Sequence, residues 1–483
     1  MTLNNTVDFR QIREAMASFD LSPKVEPNAT IETDRAFFPY GHRGVLDTKR
    51  QLVVGNRGMG KSFWTHALTN IELKTRLAKI YSQPNLTNAE VVIGFNGSEK
   101  LNPVAPTIEE VTNASKKYDP EVIWRTVFLR AVESISDQPT QDKSFSDSIR
   151  DLSSSPEIYS RKMTDIDDVL TSKRKSLLIV FDALDRLASD WPSIRKLTKG
   201  LLLRTLGLQS FRSIRAKIFM RVDQFSDSDL FQFPDSSKIK NDSVKLAWQP
   251  NELFGLMLFE LLRNSSSKEA LELLASETNS TKALPTDGEF RPEALSEQEE
   301  LIRRIAGEFM GGHKKRGRVY TWVPLHLSDA ANNCSPRTFL AAWKSAAEHI
   351  PAPTERAIDH LGLIDGVRKA SINRLTELNE DYPWIKTALE PLRNHLVPIT
   401  KEELFSLWEK QEVVKNIIAN SNSSNFLPPV GMFLEQNVNS LLQTMSSIAV
   451  MEERTNGKIN VPDIFRVEAG ILRKGGVAVP KRK

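Results

Sequence analysis

The sequence predicts an α/β fold: a parallel sheet covered by helices, followed by a helical lid and a C-terminal winged-helix-like module. Short apolar runs alternate with segments of helical periodicity from residue 50 to 249, which is the pattern of a parallel sheet with helices on both faces. From Pro250 the periodicity becomes helical throughout. Further along, helices precede a hairpin that turns at Asn456-Gly457, and this order suggests a winged helix.

The first strand runs into a glycine-rich loop. After an apolar run comes Gly55-x-x-x-x-Gly60-Lys61-Ser62, and a helical pattern begins at Phe63. Strand, loop and helix in this order form a P-loop, or Walker A motif. Its glycines let successive backbone N–H groups cradle a triphosphate, while Lys61 reaches the outer phosphates and Ser62 ligates Mg²⁺. The sequence therefore predicts a P-loop NTPase core, with nucleotide contacts from Gly55, Asn56, Arg57, Gly58, Met59, Gly60, Lys61, Ser62 and Phe63. The alternative is a degenerate loop that binds nucleotide without hydrolysing it.

The segment before this strand is predicted to hold one helix and an aromatic turn. Residues 9–19 have helical spacing, with Ile12 and Met16 on one face. Phe37, Phe38 and Tyr40 follow in a turn-rich stretch. These rings either pack near an adenine base or cover the edge of the sheet, and the second interpretation is favoured.

Between the P-loop and the next motif the pattern predicts two helices and one strand. The helix after the P-loop covers about residues 61–79, the strand residues 90–95 and the second helix residues 120–135. Residues 96–118 read as a loop. Residues 136–160 are rich in Ser, Asp and Gln, and they are predicted to form a mobile inserted loop.

A second motif lies at the end of a buried strand. Five apolar residues run into Asp182, and Asp185 follows about one turn later. A parallel strand that delivers a carboxylate at its C-terminal end is the Walker B arrangement. Asp182 is predicted to hold Mg²⁺ through water, and Asp185 to polarise the attacking water. The alternatives for Asp185 are a helix cap or a salt bridge to Arg186.

Two arginines are candidates for contacts to the phosphates. A helix over residues 191–209 leads to a strand that ends in Arg221, next to the Walker B strand, where a γ-phosphate sensor would sit. An ordinary salt bridge is an equal alternative for Arg221. The last core strand is predicted at residues 244–248. In the lid, Ser335 caps a helix that has Pro at its first turn, so Arg337 could reach back to the phosphates. The basic loop at residues 311–318 is expected to be solvated, and a contact to phosphate or nucleic acid is the alternative.

The C-terminal part is predicted to be a separate module. It has helical stretches at residues 356–384, 402–419 and 437–446, and a Ser/Asn linker at residues 420–425. The hairpin follows, and the last eleven residues carry five basic side chains that could grip phosphates. The sequence does not distinguish between DNA and protein as the partner of this module. The resulting domain prediction is an N-terminal adaptor segment at 1–49, an ATPase core at 50–249, a lid at 250–350 and a C-terminal module at 351–483.

Composition excludes several classes of protein. The 483 residues are 40% hydrophobic and 26% charged, with a net charge of +4, as in an ordinary globular protein. A single cysteine, Cys334, excludes a disulfide framework and a thiolate zinc cluster. The N-terminus lacks the apolar stretch of a signal peptide, and no run of about 18 apolar residues occurs. We expect a cytoplasmic protein with no membrane partner.

The two motifs resemble those of a known family. Residues 53–62 together with the stretch Phe181-Asp-Ala-Leu-Asp-Arg-Leu187 are similar to the STAND and KAP-like branches of the AAA+ ATPases. The resemblance covers about residues 50–350. It implies a P-loop core, a helical lid and often a winged helix, with roles for Lys61, Ser62, Asp182 and Asp185 and, less directly, for Arg221 and Arg337. Such proteins commonly act as oligomerising nucleotide switches, many of them in bacterial antiphage defence. Unlike many KAP proteins this chain shows no membrane helix, and unlike many STAND proteins it shows no repeats.

The leading hypothesis is therefore a Mg²⁺-dependent ATPase that forms a homo-oligomer and licenses a partner effector protein, with ATP and Mg²⁺ as its ligands. The preference for adenine follows from the resemblance. The second hypothesis is an AAA+ ATPase that acts directly on DNA through the winged helix and basic tail. A third is a non-enzymatic scaffold locked by retained nucleotide.

Overall fold

The computed structural model describes residues 6–21, 36–136, 143–289, 292–424, 426–433 and 435–480. The chain divides into two compact units. One is continuous, His42–Leu246, and contains the glycine-rich loop; we call it the P-loop unit. The other combines Met1–Gly41 with Ala247–Lys483, and we call it the helical unit. The four-part division expected from the sequence stays a prediction.

The first eleven α-helices extend from the N-terminal segment to the end of the P-loop unit. They are α1 Phe9–Ala17, α2 Lys61–Thr69, α3 Ile71–Ile80, α4 Pro84–Thr87, α5 Ile108–Ser115, α6 Pro120–Ser134, α7 Phe145–Ser154, α8 Glu157–Ser172, α9 Trp191–Gly207, α10 Val222–Ser226 and α11 Ser236–Asn241.

The remaining described α-helices all lie in the helical unit. They are α12 Pro250–Arg263, α13 Ser265–Glu277, α14 Leu295–Ala306, α15 Val319–Leu327, α16 Pro336–Ala347, α17 His360–Asp381, α18 Ile385–Leu389, α19 Lys401–Lys410, α20 Val413–Ser424, α21 Val438–Ser447 and α22 Asp463–Ala469.

The P-loop unit is built on a five-stranded parallel sheet, which confirms the predicted fold class. Its strands are β1 Leu52–Val54, β2 Ala89–Phe95, β3 Ser176–Phe181, β4 Ile214–Met220 and β5 Val244–Lys245. Their order across the sheet is β2-β3-β4-β1-β5, and all the pairings are parallel. The strand that ends before Arg221 thus lies between the P-loop strand and the strand that ends before Asp182. Because parallel strands share a carboxyl edge, this order brings the three strand ends together.

Two strands of the sheet, β1 and β3, are apolar along almost their whole length. β1 is buried at every residue, and so is β3 after Ser176. Such continuous burial is expected where helices cover both faces of a parallel sheet. α6 packs on β2 and β3 and also against α9, where the indole of Trp124 donates a 2.8 Å hydrogen bond to the carbonyl of Leu197. At this contact the backbones approach so closely that a Cβ at Gly200 would lie 2.5 Å from the Cβ of Pro120.

One charged side chain is buried in the middle of the sheet. Lys217 on β4 is 0% exposed, and its Nζ donates hydrogen bonds to the carbonyl oxygens of Asp47 and Arg50, at 2.9 and 2.6 Å. Burial lowers the pKa of Lys217 to about 7, although the nearby carboxylates of Asp47 and Asp242 act in the opposite direction. This lysine therefore ties the segment that enters β1 to the central strand of the sheet.

The helical unit packs its N-terminal helix onto helices that follow the P-loop unit in sequence. Ile12 and Met16 of α1 are fully buried, and α1 contacts α13 and α16. The Nζ of Lys344 on α16 donates a 2.9 Å hydrogen bond to the carbonyl of Phe19. α16 and α17 also pack closely, since a Cβ at Gly366 would lie 2.2 Å from the carbonyl oxygen of Ala342.

The C-terminal part of the helical unit combines helices with short strand pairs. β6 Leu396–Val397 pairs in parallel with β9 Leu472–Arg473, while β7 Glu452–Glu453 and β8 Ile459–Asn460 form an antiparallel hairpin. A bridge between Ile399 and Ile459 joins the hairpin to the segment after β6. The hairpin turns at Asn456-Gly457, as predicted, with Gly457 at φ 74°.

Several expectations about local structure were wrong. The helix after the P-loop breaks at Asn70, whose side chain caps α3 through the backbone N–H of Leu73. The loop expected at 96–118 contains α5, and the mobile loop expected at 136–160 contains α7 and the start of α8. The single helix expected at 402–419 is two helices, α19 and α20, and α20 extends through residues 420–424 of the linker expected at 420–425. Residues 137–142, Asn425 and the last three basic residues of the tail lie outside the described residues.

Over the ranges that the structure describes, no helix is both long enough and apolar enough to cross a membrane.

Candidate functional site

The glycine-rich loop curls around its own lysine. β1 ends at Val54, and Gly58 and Gly60 adopt φ of 81° and 104°, which a residue with a side chain rarely does. Gly60 then caps α2, which begins at Lys61. The Nζ of Lys61 donates hydrogen bonds to the carbonyl oxygens of Gly55 and Asn56, at 2.7 and 3.1 Å. The ammonium thus lies inside the loop, where backbone carbonyls take the place of the phosphate oxygens that such a lysine can bind.

Several charges surround that ammonium. Burial lowers the pKa of Lys61, and the positive charge of Arg221 acts in the same direction. The carboxylates of Asp182, Asp185 and Asp223 oppose this effect. All five charged groups are therefore close enough to interact, as the strand order implies.

Asp182 follows directly after β3 and faces α2. Its Oδ1 accepts a 2.8 Å hydrogen bond from the backbone N–H of Ala183, and its Oδ2 accepts a 3.3 Å hydrogen bond from the hydroxyl of Thr65. Burial raises the pKa of Asp182, while these hydrogen bonds and the charge of Lys61 act to lower it. Ser62, one turn before Thr65 on α2, is exposed.

Asp185 and Arg221 form an ion pair. Asp185 lies on the short 3-10 turn Leu184–Arg186, and its Oδ2 is 3.2 Å from Nη1 of Arg221. The other edge of the same guanidinium, Nε and Nη2, contacts both carboxylate oxygens of Asp223 at 3.1 and 3.0 Å. The salt bridge of Asp185 is therefore to Arg221, where the sequence suggested Arg186 as an alternative.

Arg337 and the aromatic residues Phe37, Phe38 and Tyr40 belong to the helical unit, whereas the cluster belongs to the P-loop unit. Arg337 lies on α16 in the helical unit, and its Nη1 is 3.2 Å from Oε1 of Glu377 on α17. Phe37 and Phe38 are buried in the helical unit, where Phe37 stacks on Trp248 with ring centroids 6.1 Å apart. Both rings are thus already packed against protein, and Tyr40 is 56% exposed.

Two residues of the cluster were missed as functional candidates. Thr65 lies three residues after Ser62, and this spacing places both on one face of α2. Asp223 lies two residues after Arg221 at the end of β4. Helical spacing from the P-loop serine was a signal for Thr65, whereas the pairing of Asp223 with Arg221 could be read only from the folded backbone.

The donor set fits a triphosphate with Mg²⁺. Within the described ranges, no group of three or more His, Cys, Asp or Glu side chains is placed to hold a metal ion. Mg²⁺ is commonly held by one or two protein oxygens together with water and substrate phosphates. The hydroxyl of Ser62 and the carboxylate of Asp182 are the oxygens that would hold it here. Gly58 and Gly60, which carry no side chains, give the loop the positive φ angles that turn successive backbone N–H groups inward.

Comparison with known proteins gives only distant similarities. No protein-family model matches the chain, and no curated protein matches it. Among solved structures it is similar to the ORC2 protein of Aeropyrum pernix in ADPNP–ADP complexes, at 12% identity and a TM-score of 0.37, over 86% of this chain and 84% of that chain. It is also similar to Cdc6p of Pyrobaculum aerophilum, at 14% identity and a TM-score of 0.30, over 92% and 93% of the two chains. At such scores no residue role is transferred, and the fold assignment rests on the parallel sheet and the P-loop.

Proposed function

We propose that this chain is a Mg²⁺-dependent ATPase of the AAA+ type. The observation that carries the proposal is the cluster at the carboxyl edge of the sheet. There the ammonium of Lys61 lies within the P-loop, and Asp182 and the Asp185–Arg221 pair follow the two adjacent strands. A positive loop, a buried carboxylate and a second acid on neighbouring strand ends are the parts that phosphoryl transfer to water requires.

Each residue of the cluster has a distinct role in this proposal. Lys61 exchanges its backbone carbonyl partners for the outer phosphates, whose charge it neutralises. Ser62 and Asp182 would hold Mg²⁺, which would supply stabilisation of the negative charge on the phosphates. Asp185 orients the attacking water and Arg221 senses the γ-phosphate. Arg337 is proposed as a second sensor, and its pairing with Glu377 means that this ion pair must open first.

The proposal is tested by nucleotide binding and phosphate release. Lys61→Ala should lose ATP affinity because the loop loses its only lysine, whereas Asp185→Asn should bind ATP and turn over about 100-fold more slowly or worse. Lys79→Ala, at an exposed position of α3, is the matched control and should behave as the wild type. Wild-type affinity in Lys61→Ala would overturn the nucleotide site. Wild-type turnover in Asp185→Asn would overturn the role of that carboxylate, and ATP retained without phosphate release would indicate the scaffold.

We further propose that ATP binding drives homo-oligomerisation and licenses a partner effector in the cytoplasm, with a role in antiphage defence. The support is the resemblance of the two Walker motifs to the STAND and KAP-like branches. Mass measurement of the protein with and without ATP tests the switch, and a mass that stays that of one chain in both conditions would contradict it.

Direct action on DNA is the second candidate. Its support is the C-terminal arrangement of helices and a hairpin, which is winged-helix-like. However, α21, the helix before the hairpin, contains no Lys or Arg, and Arg454 of the hairpin lies 3.7 Å from Glu452. A DNA-binding face generally needs unpaired cations to contact phosphates. Hydrolysis stimulated by duplex DNA, with steep salt dependence, would favour this function over the switch.

A further inference from the structure

The guanidinium of Arg221 is held at two ends by two different carboxylates. Its Nε and Nη2 contact the two carboxylate oxygens of Asp223 in a bidentate pair, at 3.1 and 3.0 Å. Its Nη1 contacts Oδ2 of Asp185 at 3.2 Å. The bidentate pair fixes the plane of the guanidinium and its orientation, as the fork geometry of arginine allows.

We propose that Asp223 is a positioning residue for ATP recognition. It holds the Nε–Nη2 edge of Arg221 in place, while Nη1 exchanges its partner from Asp185 to the terminal phosphate of bound ATP. This inference rests on the function proposed above for the same site, and it adds a second acidic residue with a different role.

The two carboxylates differ in how firmly they are held. The side chain of Asp223 is 1% exposed, and its Oδ1 also accepts a 3.0 Å hydrogen bond from the backbone N–H of Gln224. The side chain of Asp185 is 31% exposed and lies on a short 3-10 turn. A partly exposed ion pair is weak, whereas a buried bidentate pair is expensive to break. Exchange therefore occurs at Asp185, and Asp223 remains the fixed partner.

Because Asp185 is the weaker partner of Arg221, the terminal phosphate of ATP decides whether Asp185 stays paired with Nη1. In the structure the carboxylate of Asp185 is engaged by Nη1, which weakens it as an acceptor for a water proton. A terminal phosphate draws Nη1 away and releases that carboxylate. ADP has no such phosphate, so the Asp185–Arg221 pair should persist when ADP is bound. The same exchange thus predicts a preference for ATP over ADP.

The test is to replace Asp223 by Asn and measure three quantities: affinity for ADP, affinity for a non-hydrolysable ATP analogue, and kcat. We expect ADP affinity within about 2-fold of the wild type, with analogue affinity and kcat each at least about 10-fold lower, since misplacing one reacting group by about 1 Å has effects of that size. A merely structural role would lower both affinities together. Unchanged kcat and an unchanged ratio of the two affinities would overturn the inference.

Arg221→Lys provides a second test that does not depend on the folding of Asp223→Asn. Lysine keeps the positive charge but cannot hold Asp223 with two nitrogens while it reaches a phosphate with a third. Arg221→Lys should therefore lower the affinity for the ATP analogue and kcat as much as Asp223→Asn does. The double variant should lower these two quantities little further. Wild-type kcat in Arg221→Lys, or additive losses in the double variant, would refute the positioning role.

A matched control separates this inference from the proposed function. Asp235→Asn removes an exposed carboxylate of the same unit, whose partner is Lys238 at 3.0 Å, and should leave all three quantities unchanged. If the wild type neither binds nor hydrolyses ATP, the proposed function fails. If the wild type does both and Asp223→Asn matches it, the role of Asp223 alone fails.

Discussion

Lys217→Met should change how the stability of the protein depends on pH. Lys217 is fully buried, and its pKa is lowered from 10.5 to about 7. Below pH 7 the lysine is protonated in both states, so the folded protein bears the full penalty of burying the charge. Between about pH 7 and 10.5 only the unfolded chain holds the proton, so the free energy of unfolding rises with pH. The charged groups that act on this ammonium are Asp47, Arg50 and Asp242.

The magnitude follows from the shift. A lowering of about 3.5 pKa units corresponds to a total of about 5 kcal/mol, of which about 2 kcal/mol falls between pH 7 and 9. In Lys217→Met this rise should disappear. The variant also leaves the carbonyls of Asp47 and Arg50 without their donor, which lowers stability by about 1–3 kcal/mol per group at every pH. That loss lowers the free energy of unfolding by the same amount at every pH, so it does not change how this free energy depends on pH.

Urea unfolding at about pH 7, 8 and 9 measures the effect as the difference between wild type and variant. The difference in unfolding free energy should grow by about 2 kcal/mol over this range. Lys245→Met, at an exposed position of the same sheet, controls for the loss of a lysine. Parallel curves for wild type and Lys217→Met would show that Lys217 stays protonated in the folded protein, and the reasoning would be refuted.

Two further predictions concern packing and the metal site. Gly200→Ala should destabilise the P-loop unit by about 1–3 kcal/mol because its Cβ would lie 2.5 Å from the Cβ of Pro120. Gly207→Ala on the same helix has open space around its Cβ and should be neutral or stabilising. Thermal unfolding compares the two variants, and equal melting temperatures would contradict the close α6–α9 contact. Thr65→Val removes the hydroxyl that donates a hydrogen bond to Asp182, and it should raise the Mg²⁺ concentration needed for ATP turnover about 10-fold. Thr65→Ser keeps the hydroxyl and should retain the wild-type Mg²⁺ requirement. An unchanged Mg²⁺ requirement in Thr65→Val would show that this hydrogen bond does not orient Asp182.

The parts of the fold that were predicted correctly have strong local signals. The P-loop strand, the strand before Asp182 and the hairpin at Asn456-Gly457 each combine an apolar run with a turn or loop of defined chemistry. Two helices with apolar residues at helical spacing, α1 and α6, were also predicted to within a few residues.

Two of the errors arose where composition concealed a helix or part of one. Residues 144–154 look like a loop because Ser and Asp dominate them, yet Phe145, Ile149 and Leu152 recur at helical spacing and are buried, and Ser144 caps the helix. The expected linker after residue 419 continues α20, in which Ile417 and Ser421 are buried four residues apart. In both cases the polar residues are the solvent-facing side of an amphipathic helix.

The site was predicted as a set of residues but not as a set of contacts. The motifs indicate Lys61, Asp182, Asp185 and Arg221 because each follows a strand or a glycine loop. Which strands are neighbours is decided by packing of the whole sheet, and no local pattern states that β4 lies between β1 and β3. The pairing of Arg221 with two carboxylates therefore could not be derived from spacing along the chain.

The division of the chain has a consequence for its synthesis. α1 is translated before the P-loop unit, yet the helices that bury Ile12 and Met16 are encoded after the whole of that unit. The P-loop unit is contiguous and can acquire its native sheet while translation continues, as domains generally do. Throughout that interval α1 presents an unprotected apolar face, so this helix is accessible to chaperones and proteases until its packing partners have been translated.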